Sequence, residues 1–115
     1  MDNNPIQITQ PVFYILLVLS IKKSHGYEIM KKVSQFSHNH ITLGPGTLYG
    51  ALKRMLNDGL IIEDDILSDS RRRYYTITEK GIDILQAEIN RLSDAIAIAK
   101  GNPLLSTYIG YEKII

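Results

Sequence analysis

The sequence predicts a mainly α protein with a small β-hairpin, arranged as a winged helix-turn-helix that leads into a long C-terminal helix. Three observations predict it. Apolar residues recur at near-helical spacing in three successive segments before Gly59. The period then falls to two over residues 60–63 and 74–77, the mark of two short strands. From Ile82 it returns to alternating steps of three and four and holds as far as Ala99. Helices, hairpin, then helix is the element order of a winged helix-turn-helix with an extension.

Each element has its own local signals. Thr9 or Gln10 caps a first helix that carries Pro11 in its first turn, where a missing N–H costs little. This helix is expected to end near Ile21. Val12, Phe13, Ile15, Leu16, Leu17 and Leu19 make it apolar almost all round, more than one buried face can use. Such a helix is either central in the core or covered on its second side by another chain. Lys22 to Gly26 form a short connection, with Ser24 expected to cap a second helix over residues 26–36. Ser37 to Thr42 read as a polar link. Gly44-Pro45-Gly46 punctuates the chain, and Thr47 is expected to open a third helix that stops at Asp58-Gly59 with glycine in the terminating position. The two strands flank a polar loop from Asp64 to Arg72. Thr78 caps the last helix with Glu79 in its first turn, and Gly101-Asn102-Pro103 ends it. Residues 1–78 therefore form the winged unit, and residues 79–115 a long helix with an apolar, aromatic tail from Leu104 to Ile115.

Composition excludes several classes. At 115 residues, 44% of them hydrophobic and 22% charged, the chain is a single folded domain rather than a disordered one. It has no cysteine, hence neither a disulfide scaffold nor a thiolate metal site or nucleophile. The longest apolar run, Val12 to Leu19, is about half a membrane span. Asp2 rather than a basic segment precedes it, so the expectation is a soluble, cytoplasmic protein with no membrane partner. His38-Asn39-His40, with His25 nearby, is a poor metal site because no carboxylate or thiolate is fixed beside it. No glycine-rich phosphate loop follows a strand, and no nucleophile–base set is visible. No cofactor, no metal and no enzymatic activity are expected.

Net charge is only +1, but its distribution is uneven. Residues 1–60 carry six Lys/Arg against three Asp/Glu, whereas residues 61–115 carry seven against nine. Projected at about 100° per residue, the third helix sorts into two sides. Leu48, Ala51, Leu52, Met55 and Leu56 cluster on one. Thr47, Gly50, Lys53, Arg54 and Asn57 fall on the other, with Tyr49 at the border and no acid until Asp58. Small, cationic and hydrogen-bonding, that outer side fits the major groove of double-stranded DNA, where Arg and Asn read base edges and Lys holds phosphate. Gly50 leaves room for close approach and weakens the helix by about 1 kcal/mol relative to alanine. Arg71-Arg72-Arg73, where the loop rejoins the second strand, would set guanidinium groups against phosphates or in the minor groove. Read by themselves these residues are also compatible with a solvated amphipathic helix and a soluble turn. The competing class is a winged-helix protein–protein module without direct DNA binding.

Gly26-Tyr27-Glu28-Ile29, then Gly46-Thr47-Leu48-Tyr49 with Leu52, Arg54, Met55 and Gly59-Leu60-Ile61, then Arg72-Arg73-Tyr74-Tyr75 with Ile77-Thr78-Glu79-Lys80-Gly81, resemble the PadR family of transcriptional regulators in order and spacing over residues 11–100. The resemblance implies a winged-helix repressor that dimerises through its C-terminal helix, binds a palindromic operator, and is released by a small molecule. Carried over by position, Gly46 to Tyr49 begin the recognition helix, Arg72 and Arg73 support the wing, and Tyr74 and Tyr75 its second strand. Ser24 and Tyr27 complete the expected DNA-binding set. The chain departs from the pattern at Gly50, where many relatives carry proline or a larger residue, and at the Gly101-Asn102-Pro103 break.

The last helix supplies a seam for a homodimer. Ile82, Leu85, Ile89, Leu92, Ile96 and Ala99 repeat as an a/d heptad, and Phe13, Leu16 and Leu17 of the first helix offer partner surface. Two recognition helices about 34 Å apart would then meet successive major grooves. For a small apolar effector the available aromatics are Phe13 and Tyr14, with Tyr108 and Tyr111 in the tail. There is no tryptophan, and ligand sensing is expected to be weak or different from that of relatives.

Overall fold

A computed structural model of the chain describes residues 7–64 and 73–105. The elements run α1 (Gln10–Ile21), β1 (Ser24–His25), α2 (Gly26–Phe36), α3 (Pro45–Asn57), β2 (Ile61–Asp64), β3 (Tyr74–Ile77) and α4 (Glu79–Lys100). The chain divides between Leu85 and Gln86, inside α4, into two compact units.

In the first unit the three helices pack around one apolar core. Ile15 and Leu16 of α1, Ile29 and Val33 of α2, and Leu48, Leu52 and Met55 of α3 are fully enclosed, with Leu60 and Ile61 at the start of the sheet. Burying each such side chain is worth about 1.5–3 kcal/mol, so these positions dominate the stability of the unit. Thr9 caps α1, its Oγ1 accepting the Val12 N–H at 3.3 Å, and Pro11 sits in the first turn as its sequence position requires.

The start of α2 differs from the expectation in two ways. Its cap is His25, not Ser24: the Glu28 N–H donates to His25 Nδ1, and the His25 N–H donates back to the Glu28 carboxylate. Ser24 is one position too early, and its hydroxyl donates to the Lys22 carbonyl at 3.1 Å. Ser24 and His25 also pair with Tyr75 and Tyr74, which makes the wing a three-stranded antiparallel sheet of order β1-β3-β2 rather than a lone hairpin. In the other half of that sheet Ile61 faces Ile77 and Asp64 faces Tyr74. A two-residue strand is too short to leave a period in the sequence.

The third helix opens at Pro45, with Gly44 as its cap, two residues before the expected Thr47. Proline at the first helical position has its φ already set and lacks only an N–H that would have had no intrahelical acceptor. At its other end the Leu60 N–H donates to the Met55 carbonyl and the Gly59 N–H to that of Leu56, with Gly59 at φ +76°. The second helix ends by the same hydrogen-bond pattern: Asn39 N–H to Ser34, His38 N–H to Gln35. There His38 occupies the left-handed position at φ 53°.

The wing is tied to the start of α4 at one corner. The Thr78 hydroxyl donates to the Gly59 carbonyl at 2.6 Å and accepts the Gly81 N–H at 3.0 Å, and the Thr78 N–H donates to the Leu60 carbonyl.

In the second unit α4 continues to Lys100. Gln86 donates to Asn90 at 3.1 Å, and Arg91 Nε donates to Glu88 at 3.0 Å. The Arg91 bond holds the Glu88 carboxyl below its ordinary range. Gly101 and Asn102 close the helix end onto Ala97 and Ala99. Leu92, Ile96, Ile98, Leu104 and Leu105 are exposed here. The tail beyond Leu105, with Tyr108 and Tyr111, lies outside the described residues.

Two residues assigned to the dimer seam are corrected. Leu16 is 0% exposed and Leu85 5% exposed, so both belong to this chain's own core and have no surface to offer a partner. The heptad spacing alone cannot tell which of its positions turn inward.

Candidate nucleic-acid interface

The outer side of α3 is built from below. Leu48, Ala51, Leu52 and Met55 are buried, and this fixes the rotation of the helix. Thr47, Lys53, Arg54 and Asn57 are consequently exposed, Gly50 is half-exposed, and no acid precedes Asp58. Beyond the adjoining backbone of the helix itself, no atom of the described residues lies within 4 Å of the place where a Gly50 β-carbon would stand, so the surface is open at that point. Arg54 marks one edge, where it lines a crevice of about 100 Å³ with Gln7, Thr9 and Asp58.

Tyr49 marks the opposite edge and is 50% exposed. Its ring reaches across to α2 and covers Gly26, so α3 and the start of α2 share one surface. Tyr27, the next residue on α2, is 68% exposed. Ser24 does not join this set. It is 2% exposed and committed to the Lys22 carbonyl, which removes it from any solvent-facing surface.

On the wing, Arg73 is exposed and its guanidinium lies 3.0 Å from the Glu63 carboxylate. Lys23 makes the corresponding pair with Asp64 at 3.3 Å and stands 6.0 Å from the centre of the Tyr74 ring. Acids of β2 thus face the cations at the sheet edge. Arg71 and Arg72 lie outside the described residues. Tyr75 is buried beneath the sheet, and burial, followed by the Glu63 charge, pushes its phenol above the ordinary value. Sequence reasoning missed the capping role of His25 and the contact of Gly26 with Tyr49. The glutamate three residues after His25 is the signal that could have found the first.

Phe13 and Tyr14 are both half-buried on α1 and form an edge-to-face pair, ring centroids 5.5 Å apart. No group of three or more His, Cys, Asp or Glu is placed to hold a metal ion among the described residues. No helix among them is long and apolar enough to cross a membrane.

A helix held by its inner face, with a basic and hydrogen-bonding outer face beside a small antiparallel wing, defines a winged-helix nucleic-acid-binding protein. Comparisons with known proteins make the class specific. The model of the PadR-like transcriptional regulator family matches residues 15–87. The chain therefore belongs to the PadR-like family, whose members are DNA-binding transcriptional regulators and not enzymes.

Among solved structures, it is similar to a PadR family transcription regulator from Clostridium difficile R20291, with 29% identity and a TM-score of 0.67 over 80% of this chain and 96% of that one. It is similar also to a transcriptional regulator from Clostridium thermocellum, with 28% identity and a TM-score of 0.66 over 76% and 86% of the two chains. The H. salinarum protein RosR shares the fold at 21% identity and a TM-score of 0.64, over 94% of this chain and 90% of that one. No curated protein matches the chain.

Proposed function

We propose that this chain is a homodimeric repressor that binds a two-fold symmetric operator with α3 in the major groove. Thr47, Gly50, Lys53, Arg54 and Asn57 would meet the DNA there, with Tyr49 and Tyr27 at the border and Arg73 on the wing. The observation that carries the reading is the outer face of α3: four exposed polar or basic side chains in one strip, with no acid before Asp58. Arg54 and Asn57 have the donors that bidentate base contacts need, and Lys53 suits a phosphate. One helix covers about one half-site, so useful selectivity calls for two copies. The apolar positions Leu92 and Ile96, exposed on α4, and half-buried Ile89 support a dimer seam, as do Ile82 on α4 and Phe13 and Leu17 on α1. Any small apolar effector would meet the Phe13–Tyr14 pair, and without tryptophan its effect on DNA binding should be weak or different from that in relatives.

Footprinting of the purified protein on its source genome tests this directly. The expected result is protection of inverted repeats whose half-sites are about one helical turn apart. Arg54→Ala should cost about 1–3 kcal/mol and relax selectivity at one base position. An absence of protected sites together with salt-insensitive binding would favour the protein–protein module instead.

A further inference from the structure

Gly59 and Leu60 close α3, and the same two residues receive the start of α4. On the α3 side the Gly59 N–H donates to the Leu56 carbonyl at 3.1 Å and the Leu60 N–H to that of Met55 at 2.9 Å. On the α4 side the Gly59 carbonyl accepts the Thr78 hydroxyl at 2.6 Å, and the Leu60 carbonyl accepts the Thr78 N–H at 3.0 Å. Every backbone donor and acceptor of this turn is thus used, the donors to end one helix and the acceptors to hold the next. Gly81 completes the joint. Its backbone lies so close to Leu60 that a β-carbon there would strike the carbonyl oxygen.

Thr78 does two separate things in this joint. Its Oγ1 accepts the Gly81 N–H at 3.0 Å, the ordinary duty of a helix cap. That duty needs only an acceptor, which aspartate supplies as well as threonine. The proton of the same hydroxyl goes to Gly59, nineteen residues earlier, and does nothing for the cap. It ties the first turn of α4 to the residue that ends α3. Arg54 and Asn57 stand on the last turn of α3, while Leu92 and Ile96 of the proposed seam stand further along α4.

We propose that Thr78 is a positioning residue for operator binding. Through its bond to Gly59 it fixes the setting of the first turn of α4 on the end of α3, and in the dimer this selects the spacing of half-sites that two copies accept. The proposal rests on the homodimer reading above and adds what determines that spacing. One base pair shifts a half-site by about 3.4 Å and about a tenth of a turn, so a joint that yields slightly admits neighbouring spacings.

The test uses the full-length protein and labelled duplexes carrying the inverted repeat recovered by footprinting, its half-sites moved together or apart by one base pair at a time. Fluorescence anisotropy gives the affinity at each spacing, and the readout is the ratio between the best spacing and its neighbours. The wild type is expected to discriminate by about tenfold. Thr78→Asp keeps an acceptor for the Gly81 N–H but sets a carboxylate against the Gly59 carbonyl. Its ratio should fall to about threefold or less, with helical content and dimer mass unchanged. Any loss from the added charge falls on every duplex alike and leaves the ratio untouched. Thr78→Ala, which lacks donor and acceptor together, should lower the ratio in the same way, and Thr78→Ser, which keeps both bonds, should retain it. A Thr78→Asp or Thr78→Ala protein with the wild-type ratio would overturn the proposal. So would a Thr78→Ser protein that loses it, or a wild type that accepts all spacings equally. Failure of the wild type to protect any inverted repeat, or to sediment as a dimer, would strike the underlying reading itself, and that result is distinct from the others.

Discussion

The ring of Tyr49 occupies the space in which a β-carbon on residue 26 would stand: such a carbon would lie 2.9 Å from Tyr49 Cζ and closer still to the hydroxyl oxygen. Glycine at position 26 thus lets the border residue of α3 lie flat over the first turn of α2. Gly26→Ala should push the phenol aside, and because that phenol is the free end of a half-exposed side chain the cost should be about 1 kcal/mol or less. In a Tyr49→Ala background the same change should cost distinctly less. A double-mutant cycle by chemical denaturation measures the difference, and additive losses would show that the two residues are not coupled.

Gly50 faces the opposite circumstance. An added β-carbon there meets nothing within 4 Å beyond its own helix backbone and chain neighbours, and the residue sits mid-helix. Gly50→Ala should therefore stabilise the protein by about 1 kcal/mol through helix propensity. Operator affinity should fall at the same time if the helix approaches base edges closely at that point. Thermal unfolding and anisotropy on one protein preparation separate the two effects. Gly81 is the internal contrast, since its β-carbon would meet the Leu60 carbonyl oxygen and stand 2.8 Å from Ile77 Cγ1, so Gly81→Ala should destabilise.

The paired helix endings explain which parts of the fold could be read in advance. Gly59 and His38 do the same job at the ends of α3 and α2, closing the helix with a left-handed residue. Glycine announces that job and histidine does not, so both stops were legible from the hydrophobic pattern but the closing residue only at Gly59. The same holds at the helix starts. Thr9 and Thr78 cap as threonines usually do, while His25 caps through a ring nitrogen and displaced the expectation onto Ser24. The outer face of α3 was legible because a helix of this length has enough turns to define its own rotation. The seam of α4 was only partly so: a repeat of three and four marks an apolar stripe, but Leu85 lies inside the first unit's core and Leu92 on the surface of the second.

His38 gives a stability prediction. A side chain at φ 53° strains the backbone where glycine would not, at a cost of order 1–2 kcal/mol for an ordinary L-residue and less for histidine. His38→Gly recovers part of this and loses some to the greater freedom of the unfolded chain. The expected gain is about 0.5 kcal/mol, read as a small rise in melting temperature. The β-branched change His38→Val should lower it, and a rise with valine would contradict the assigned backbone.

Tyr75 predicts the response to alkali. Its phenol titrates above the ordinary value of 10.0, chiefly through burial and then through the Glu63 carboxylate, with Arg73 opposing. The folded state holds that proton more tightly than the unfolded chain does. The associated stability is therefore complete below pH 10 and is lost as pH rises through the folded value. Tyr75→Phe removes the group and should flatten the alkaline limb of the stability curve, whatever it does at neutral pH. Thermal melts across that range check it, and an unchanged alkaline limb would mean that another tyrosine or lysine sets it.

The proposed seam predicts the response to a buried charge. Leu92 and Ile96 are exposed and lie four residues apart on α4, on the same face of the helix. In a dimer built on that face, Leu92→Asp would place a carboxylate in an apolar contact, and a buried, unpaired charge is costly enough to separate the copies. Sedimentation should show the wild type as a dimer and the variant as a monomer with unchanged helical content, because Leu92 contributes nothing to the core of the first unit. Operator affinity should fall with dimerisation, since each half-site contact would then have to form independently. Leu16→Asp and Leu85→Asp should instead unfold the protein, as both are enclosed within the chain. A Leu92→Asp protein that keeps the wild-type mass would remove this face from the interface.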